Sequence, residues 1–362
     1  MLKSLQVKNF RAFENLSVDS LGKVNLVVGR NNVGKTSLLE AVHLYVSDDV
    51  LNAASRLLRR RQEYSLEDNR TVAFRSLFHL DDSLRIPIEI GEIHGTNQLV
   101  LSMMWSWAEE VEQDRGLRLQ RRFSVDYPEE IIELEDLEIR EVLAVERGGE
   151  GVTQSASVLS SRRYPSGFRR REESSSRSLF LPSSGFHDES IETATLWDSV
   201  VLTEEEENVL NALRVIEPDI ERIVIVQGQS SQRIAMVKLR GKRNMPLRSL
   251  GDGMNRLFEL ALGLISTGSS KAFLVDEIDS GLHFTTLVDV WRLVFRTAAA
   301  HQVQVFATTH SWECIEAFQK AASEHPAEGV LIRLEQLGDS IRAETFSEEE
   351  LRIITRESIE VR

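Results

Sequence analysis

The chain has 362 residues and a formal net charge of −14, with 43 lysine and arginine residues against 57 aspartate and glutamate residues. Such an acidic chain is not a general polyanion binder, so contact with nucleic acid would need a local basic patch. The single cysteine, Cys314, excludes an internal disulfide framework, and the N-terminus lacks the apolar region of a secretory signal. No apolar run approaches the roughly 18 residues of a membrane span, so we expect a cytoplasmic protein that makes no membrane contact.

The first part of the chain predicts two strands, a glycine-rich loop and a helix. Leu5 to Phe10 alternates between apolar and polar residues, as in a half-buried strand. Lys23 to Val28 is denser in apolar residues and predicts a strand buried on both faces. From Lys35 to about Val46, apolar residues recur at helical spacing. The loop between this strand and helix reads Gly-Arg-Asn-Asn-Val-Gly-Lys-Thr over residues 29–36.

This loop has the spacing of a P-loop that binds nucleoside triphosphates. Its glycines let backbone N–H groups turn toward phosphate oxygens, and the helix that follows adds its positive end. Lys35 can reach the β- and γ-phosphates of ATP, and the Thr36 hydroxyl can ligate Mg²⁺. The alternative is a fortuitous glycine-rich turn, which the flanking strand and helix disfavour. The predicted ATP-binding residues are Asn31, Asn32, Val33, Gly34, Lys35, Thr36 and Ser37.

The chain changes character over 47–245, which we interpret as an insertion with helical and β segments. Residues 83–126 are rich in strand-like sequence, whereas 146–178 are rich in Ser, Arg and Gly and predict a flexible surface loop. Residues 191–215 predict helical structure with Thr203 as a cap, and a pair of strands follows.

Strands and helices alternate again over 246–362, which predicts a parallel sheet covered on both faces. We therefore expect 1–46 and 246–362 to form one α/β P-loop NTPase core with a mixed sheet flanked by helices. The predicted elements are helix Asp252–Ile265, strand Lys271–Val275, helix Phe284–Ala298, strand Val303–Thr308, helix Glu313–Ala322 and a hairpin turning at Gly338-Asp339.

Polar residues follow two of these strands. Asp276 and Glu277 come after an apolar run, where ligands bind in open α/β sheets. Asp276 would hold Mg²⁺, mostly through water, and Glu277 would orient and deprotonate the attacking water. His310 follows the next strand and could contact the γ-phosphate. The alternatives are solvated acids at a strand end and a histidine with only a structural role.

Residues 247–255 read Leu-Arg-Ser-Leu-Gly-Asp-Gly-Met-Asn directly before a predicted helix. Small residues at a helix N-terminus can bind an anion through backbone N–H groups. The alternative is a simple helix cap in which Asp252 or Ser249 bonds the first turn.

The order of these segments resembles the ABC-type ATPase heads of RecF, SMC and OLD proteins. A P-loop is followed by Ser-x-Gly-x-Gly, by an apolar run ending in Asp-Glu, by Asp-Ser-Gly-Leu-His at 279–283 and by a histidine. The sequence is most similar to stand-alone prokaryotic AAA/ABC-like ATP-binding proteins related to OLD, in which phrases such as LRSLGDGMNRLF, DEIDSGLH and VFATTHSWECIEAF are typical. Val7 to Phe13 also resembles the opening strand of such heads.

The resemblance implies that two subunits sandwich ATP, in a homodimer or a higher homo-oligomer. Ser249, Gly251 and Gly253 would then act in trans, on ATP held by the other subunit. Asp279 would help to couple the two sites, and Arg11 would lie near the nucleotide. The signature departs from the Leu-Ser-Gly-Gly-Gln form of transporters.

The functions implied fall into three classes. The first is an ATP switch in prokaryotic anti-phage defence that gates a separate nuclease or toxin; only about 44 residues follow Phe318, so we expect no fused TOPRIM nuclease. The second is a DNA-repair ATPase that clamps DNA, and the third, ranked last, is a transporter subunit. Two arginine clusters could contact nucleic acid or be solvated surface: Arg56, Arg59, Arg60 and Arg61, and Arg162, Arg163, Arg169, Arg170 and Arg171.

Overall fold

The structure is a computed structural model whose described residues form three β-sheets and the helices packed on them. It describes residues 1–64, 73–80, 84–113, 116–128, 139–157, 178–186, 193–227, 233–267, 272–325 and 328–356. In chain order the strands are β1 (Leu5–Phe10), β2 (Phe13–Val18), β3 (Val24–Val28), β4 (Ile88–Gly91), β5 (Leu99–Gln113), β6 (Gly116–Ser124), β7 (Arg140–Arg147), β8 (Val152–Ser157), β9 (Ser178–Leu181), β10 (Ile220–Gln227), β11 (Arg233–Leu239), β12 (Met245–Pro246), β13 (Ala272–Val275), β14 (Gln304–Thr308), β15 (Gly329–Leu337) and β16 (Ser340–Phe346). The α-helices are α1 (Lys35–Val46), α2 (Val50–Arg60), α3 (Thr193–Val200), α4 (Glu204–Leu213), α5 (Asp252–Ser266), α6 (Leu287–His301), α7 (Trp312–Ala322) and α8 (Glu348–Arg356).

The central sheet has the spatial order β16-β15-β3-β14-β13-β9. Neighbours from β15 to β9 run parallel, and β16 is antiparallel at one edge. Every residue of β3, β13 and β14 is buried, as expected for parallel strands covered on both faces. The P-loop, Asp276 and His310 follow three adjacent parallel strands, β3, β13 and β14. They therefore lie together at the carboxyl ends of these strands. The predicted mixed sheet flanked by helices is confirmed.

Two hydrophobic cores cover the two faces of this sheet. Side chains that are neighbours along a strand point to opposite faces, so Leu274 packs into the core that includes α1 and α2, and Val275 into the core that includes α5, α6 and α7. Phe258, Trp291 and Phe318 are among the large side chains of the second core. These packed layers fix the strand ends from which the polar residues emerge.

A second, antiparallel sheet has the order β2-β1-β4-β5-β7-β8, with β6 paired to β5. It joins the N-terminal strands to strands from within 47–245. Conversely, β9 lies within 47–245 but pairs with β13 in the central sheet. The sequence-based division into core and insertion therefore does not separate the sheets, and that domain boundary stays a prediction.

The third sheet, β10-β11-β12, leads directly into the glycine-rich segment before α5. The antiparallel pairing of β10 with β11 confirms the predicted strand pair. Helices α3 and α4 confirm the helical prediction within 193–213, and the Thr203 hydroxyl caps α4 by accepting the Glu205 N–H at 3.2 Å.

The flexible loop predicted over 146–178 is wrong for part of its length. β7 extends to Arg147, and Val152–Ser157 forms β8, which pairs with β7. Gly148, Gly149 and Gly151 have positive φ values of 61°, 78° and 81°, which lets the chain reverse between these strands. Backbone pairing thus orders a segment whose composition is poor in apolar residues. Residues 158–177, with the second arginine cluster, lie outside the described residues.

One predicted helix differs in detail. Residues Phe284–Thr286 form a 3₁₀ turn, and α6 begins only at Leu287. The His283 side chain accepts the Thr285 N–H and so caps the turn ahead of the α-helix. Among the described residues, no helix combines the length and apolar character needed to cross a bilayer.

Candidate functional site

The P-loop connects the end of β3 to the start of α1. Gly29 and Gly34 have φ values of 145° and 86°, and Asn32 lies in the left-handed region at 64°. A Cβ atom on Gly29 would lie 2.4 Å from the Leu334 carbonyl oxygen, so only glycine fits there. The loop is therefore closely packed against β15, and it leads the chain into α1 with backbone N–H groups at the helix start.

The residues of the loop tip differ in exposure. Asn31 and Asn32 are exposed, whereas Val33 is buried and anchors the loop in the core. Ser37, in the first turn of α1, is also buried. Gly34 approaches the turn after β1, where a Cβ atom would meet the Phe13 ring at 2.7 Å. The loop is thus held from both sides.

The Lys35 ammonium group lies over this loop. Its Nζ donates hydrogen bonds to the carbonyl oxygens of Gly29 at 2.7 Å and Arg30 at 2.8 Å. Partial burial lowers the pKa of Lys35, and the nearby carboxylates of Asp276 and Glu277 oppose that shift. Phosphate oxygens are stronger acceptors than carbonyls, so the group is positioned to exchange these contacts for a nucleotide.

The Asp276 carboxylate brings together the ends of three adjacent elements. The Thr36 hydroxyl at the start of α1 lies 3.0 Å from Asp276 Oδ2 and donates to it. The Thr308 hydroxyl at the end of β14 donates to Asp276 Oδ1 at 2.7 Å. Hydroxyl and carboxylate oxygens are donors that suit Mg²⁺. In the described part of the chain, no group of three or more His, Cys, Asp or Glu side chains could hold a metal ion, and Mg²⁺ binding stays a prediction.

Glu277 has an unusual backbone conformation beside this carboxylate. Its φ is 49°, in the left-handed region that is strained for most residues other than glycine. Its N–H donates to Thr308 Oγ1 at 2.8 Å. The Glu277 carboxylate is part-exposed and lies 3.9 Å from His310 Nδ1. The structure thus places the Glu277 carboxylate and the His310 ring side by side, both part-exposed.

Arg11 is adjacent to the P-loop, but its side chain is engaged elsewhere. The guanidinium group is 6% exposed and forms an ion pair with Glu40 at 2.7 Å. It also donates to both Glu63 oxygens, at 2.9 and 3.1 Å. Contact between Arg11 and a nucleotide stays a prediction.

The glycine-rich segment before α5 is largely exposed. Ser249 and Gly251 are exposed, and Gly251 has a φ of 103°. No side chain caps α5, so the structure does not support the alternative in which Asp252 or Ser249 is a simple cap. Gly253 packs closely on the 279–283 turn, where a Cβ atom would lie 2.6 Å from the Gly281 carbonyl oxygen.

Asp279 is held in that turn. Its Oδ1 accepts a hydrogen bond from the buried Thr309 hydroxyl at 2.7 Å. The structure therefore brings Asp279 and Gly253 to one region of the surface, next to Ser249 and Gly251. Their predicted action in trans concerns a second subunit and stays a prediction.

Sequence reasoning missed three residues that support this site. Arg256 donates to backbone carbonyls of the Asp276-Glu277 pair, and Thr308 bonds both residues of that pair. Glu40, buried on α1, pairs with Arg11 and with Arg61. Arg256 and Glu40 each lie within an apolar helix face, and a charged residue in such a face indicates a buried polar contact. The sequence does not show which contact, because their partners are distant in the chain.

Part of the first basic cluster is used within the chain. The Arg61 guanidinium pairs with Glu40 at 2.8 Å, and the Arg60 guanidinium lies over the Phe180 ring at 4.5 Å. These contacts engage two of the four arginines of the cluster within the chain.

Comparisons with known proteins agree with the motif order. A profile of the family described as "AAA domain, putative AbiEii toxin, Type IV TA system" matches residues 24–315. An ATP/GTP phosphatase of Helicobacter pylori is 23% identical over 345 residues, which cover 90% of this chain and 89% of that protein. An OLD nuclease of Thermus scotoductus is 48% identical over 48 residues, and RecF of Clostridioides difficile 49% over 43 residues. The last two matches span only 9% and 12% of those proteins.

The fold is also similar to a solved structure. The SMC head bound to the C-winged helix domain of ScpA superposes with a TM-score of 0.51 at 13% identity, covering 98% of this chain and 99% of that chain. This similarity shows the fold, that of a P-loop ATPase head. The predicted resemblance to the OLD, RecF and SMC group is confirmed.

Proposed function

Because the chain belongs to the AAA-domain family described above and is an ATPase of the AAA/ABC type, we propose that it closes as a dimer around ATP and thereby regulates a separate effector. The observation that carries the proposal is the convergence of Lys35, Thr36, Asp276 and Glu277 at one edge of the central sheet. That half of the site is assembled within one chain. The other half, at Ser249 to Gly253, is exposed at Ser249, Gly251 and Asp252.

Within one subunit, the P-loop N–H groups and Lys35 bind the phosphates of ATP. Thr36 and Asp276 would hold Mg²⁺, which neutralises phosphate charge when it is bound. The Glu277 carboxylate accepts a proton from a water molecule as the water oxygen bonds to the γ-phosphorus. The bond from that phosphorus to the β,γ-bridging oxygen breaks, so ADP leaves with its electron pair. His310, beside Glu277, would contact the γ-phosphate and respond to its loss.

The second half of the proposal concerns the partner subunit. Ser249, Gly251 and Gly253 would contact the γ-phosphate held by the other subunit, through the hydroxyl and the backbone N–H groups at the start of α5. Asp279, which lies beside them, would link the two sites across the interface. The exposure of Ser249 and Gly251 in one chain and the resemblance to ABC-type heads support this arrangement.

Dimer closure would then gate an effector, for which we favour a separate nuclease or toxin in prokaryotic defence. The family description, which names a toxin and a type IV toxin–antitoxin system, supports this choice. The second candidate is a RecF-like DNA clamp, which the short RecF match favours. The engagement of Arg60 and Arg61 inside the chain favours the effector over the clamp.

The test of the dimer is the substitution Glu277→Gln, which removes the base but keeps the shape of the side chain. We expect hydrolysis to be at least about a hundredfold slower, given the usual contribution of a general base. Light scattering should show a dimer or larger assembly with ATP and a smaller species with ADP. The double variant Lys35→Ala/Glu277→Gln is the control and should not assemble. A Glu277→Gln protein that stays monomeric with ATP would contradict the proposal.

The same ATP-loaded protein separates the two candidate roles. Titration with a short DNA duplex at increasing salt should show weak binding if the role is effector regulation. Tight binding that requires ATP and weakens steeply with salt would favour the DNA clamp.

A further inference from the structure

Arg256 lies inside the molecule in the second turn of α5, five residues after Gly251. Its side chain is nearly fully buried, at 5% exposure. The guanidinium group donates to the carbonyl oxygens of Pro182 at 2.7 Å, Asp276 at 2.7 Å and Glu277 at 3.0 Å. It therefore bridges the carboxyl ends of two neighbouring strands, β9 and β13. Burying a charged arginine is unfavourable, so a side chain used only for packing would be better apolar.

The carbonyls that Arg256 holds belong to the residues that carry the chemistry. The left-handed conformation of Glu277, at a φ of 49°, is strained and persists only where surrounding contacts fix it. Two contacts do so from opposite sides. The Thr308 hydroxyl accepts the Glu277 N–H at 2.8 Å, and Arg256 holds the Glu277 carbonyl. Release of either contact would let the peptide rotate and move the carboxylate away from the attacking water.

The helix that carries Arg256 also carries the exposed glycine-rich segment. Gly253 packs on the Gly281 carbonyl, one turn of α5 before Arg256. A phosphate bound at the start of α5 would therefore pull on a rigid helix whose second turn contacts Glu277. Side chains in a packed interior transmit such shifts because there is little free volume to absorb them.

We propose that Arg256 is a positioning residue that links two events. When ATP held by the partner subunit contacts Ser249 to Gly253, Arg256 sets the orientation of Glu277 in its own subunit. Its fork of donors is suited to this role because it can hold carbonyls from two strands at once. The inference rests on the proposed dimer. It adds that each site is activated by the other, so hydrolysis is cooperative in ATP.

The test is Arg256→Met, which removes the donors and keeps much of the buried volume. We expect ATP affinity and the ATP-dependent assembly of Arg256→Met/Glu277→Gln to be retained. The kcat of Arg256→Met should fall between about tenfold and a hundredfold, as for a small misplacement of a reacting group. The Hill coefficient for ATP should fall from above 1 in the wild type to about 1, because the coupling between sites is lost. Arg292→Met is the matched control: Arg292 lies on the surface of α6 and pairs with Glu324, and its loss should leave kcat and the Hill coefficient unchanged.

The outcomes distinguish a linking role from a structural one. Three results would overturn the inference. The first is a Hill coefficient of 1 for the wild type. The others are an Arg256→Met protein that keeps wild-type kcat and cooperativity, and one whose kcat falls while its cooperativity is unchanged. If Arg256→Met does not fold, Arg256→Lys replaces it. Lysine keeps the charge but lacks the fork, so we expect partial activity with reduced cooperativity, and full recovery of both would also overturn the inference. Failure of Glu277→Gln alone to assemble with ATP would instead refute the proposed dimer, which keeps the two failures apart.

Discussion

The two halves of the candidate site differ in how far the chain itself has completed them. The half at the strand ends is held by internal hydrogen bonds, such as those from Thr36 and Thr308 to Asp276. The half before α5 is exposed at Ser249 and Gly251, and no side chain caps its helix. One half is therefore organised before any ligand binds, and the other leaves its helix start open to an external anion.

This difference follows from burial. Polar groups taken out of water must find partners within the chain, because an unsatisfied buried group costs about 1–3 kcal/mol. The Asp276 carboxylate and the Glu277 N–H emerge between strands that are buried on both sides, and neighbouring hydroxyl groups bond both. Ser249 is solvated and needs no partner. A surface that is open in one chain and contains an uncapped helix start is what the proposed composite dimer site would require of each subunit.

The largest effect in this comparison is expected from Lys35→Ala, which breaks the internally organised half. Two charge-assisted hydrogen bonds of about 1.5–3 kcal/mol each would be lost from the phosphates, which corresponds to an ATP affinity on the order of a hundredfold lower or worse. Equilibrium binding of labelled ATP measures this. Lys23→Ala is the control, because Lys23 is also part-buried but pairs with Glu328, away from the loop. Tight ATP binding by Lys35→Ala would refute the P-loop assignment.

A smaller effect is expected from Thr308→Val, which keeps the shape of the side chain but removes the hydroxyl. The Glu277 N–H then loses its acceptor and Asp276 loses a donor, so we expect kcat to fall by roughly tenfold to a hundredfold, with ATP affinity nearly unchanged. Thr267→Val is the matched control. Thr267 is also buried, but its hydroxyl bonds the Gly263 carbonyl on α5 and neither Asp276 nor Glu277. Steady-state kcat and KM separate the two variants. Equal kcat losses in both would show a general effect on stability.

The sequence predicted those parts of the site that are local. The P-loop and the Asp276-Glu277 pair each lie in one short segment whose flanking strand and helix show up in the pattern of apolar residues. The contacts of Arg256 and Thr308 could not be predicted, because they reach Asp276 across 20 and 32 residues and depend on which strands are neighbours. Strand β9 was missed for a related reason: it has four residues, and pairing with β13 orders it.

Arg11 shows the limit of a resemblance in the same way. Its place beside the P-loop agrees with the motif order, but the charges around it cannot be read from the N-terminal segment alone. Glu40 lies one turn of α1 after Thr36, and Glu63 follows α2, and together they hold the guanidinium group. To predict this arrangement, one would need to know how α1 packs against α2.

The smallest effect is expected from Ser249→Ala, which tests the open half. If Ser249 acts only on ATP held by a second subunit, its loss removes one hydrogen bond to a charged phosphate, about 1.5–3 kcal/mol. We expect ATPase activity to fall by about tenfold, the low end of that range, while ATP binding to the single subunit at low protein concentration stays unchanged. Ser323→Ala, at an exposed serine after α7, is the matched control. Mixing Ser249→Ala with Lys35→Ala then separates cis from trans action. In the mixed dimer, ATP bound by the Ser249→Ala subunit faces the intact Ser249 of the Lys35→Ala subunit. Activity above that of either variant alone requires Ser249 to act in trans. Unchanged ATPase activity of Ser249→Ala itself would contradict the proposed contact with the phosphate.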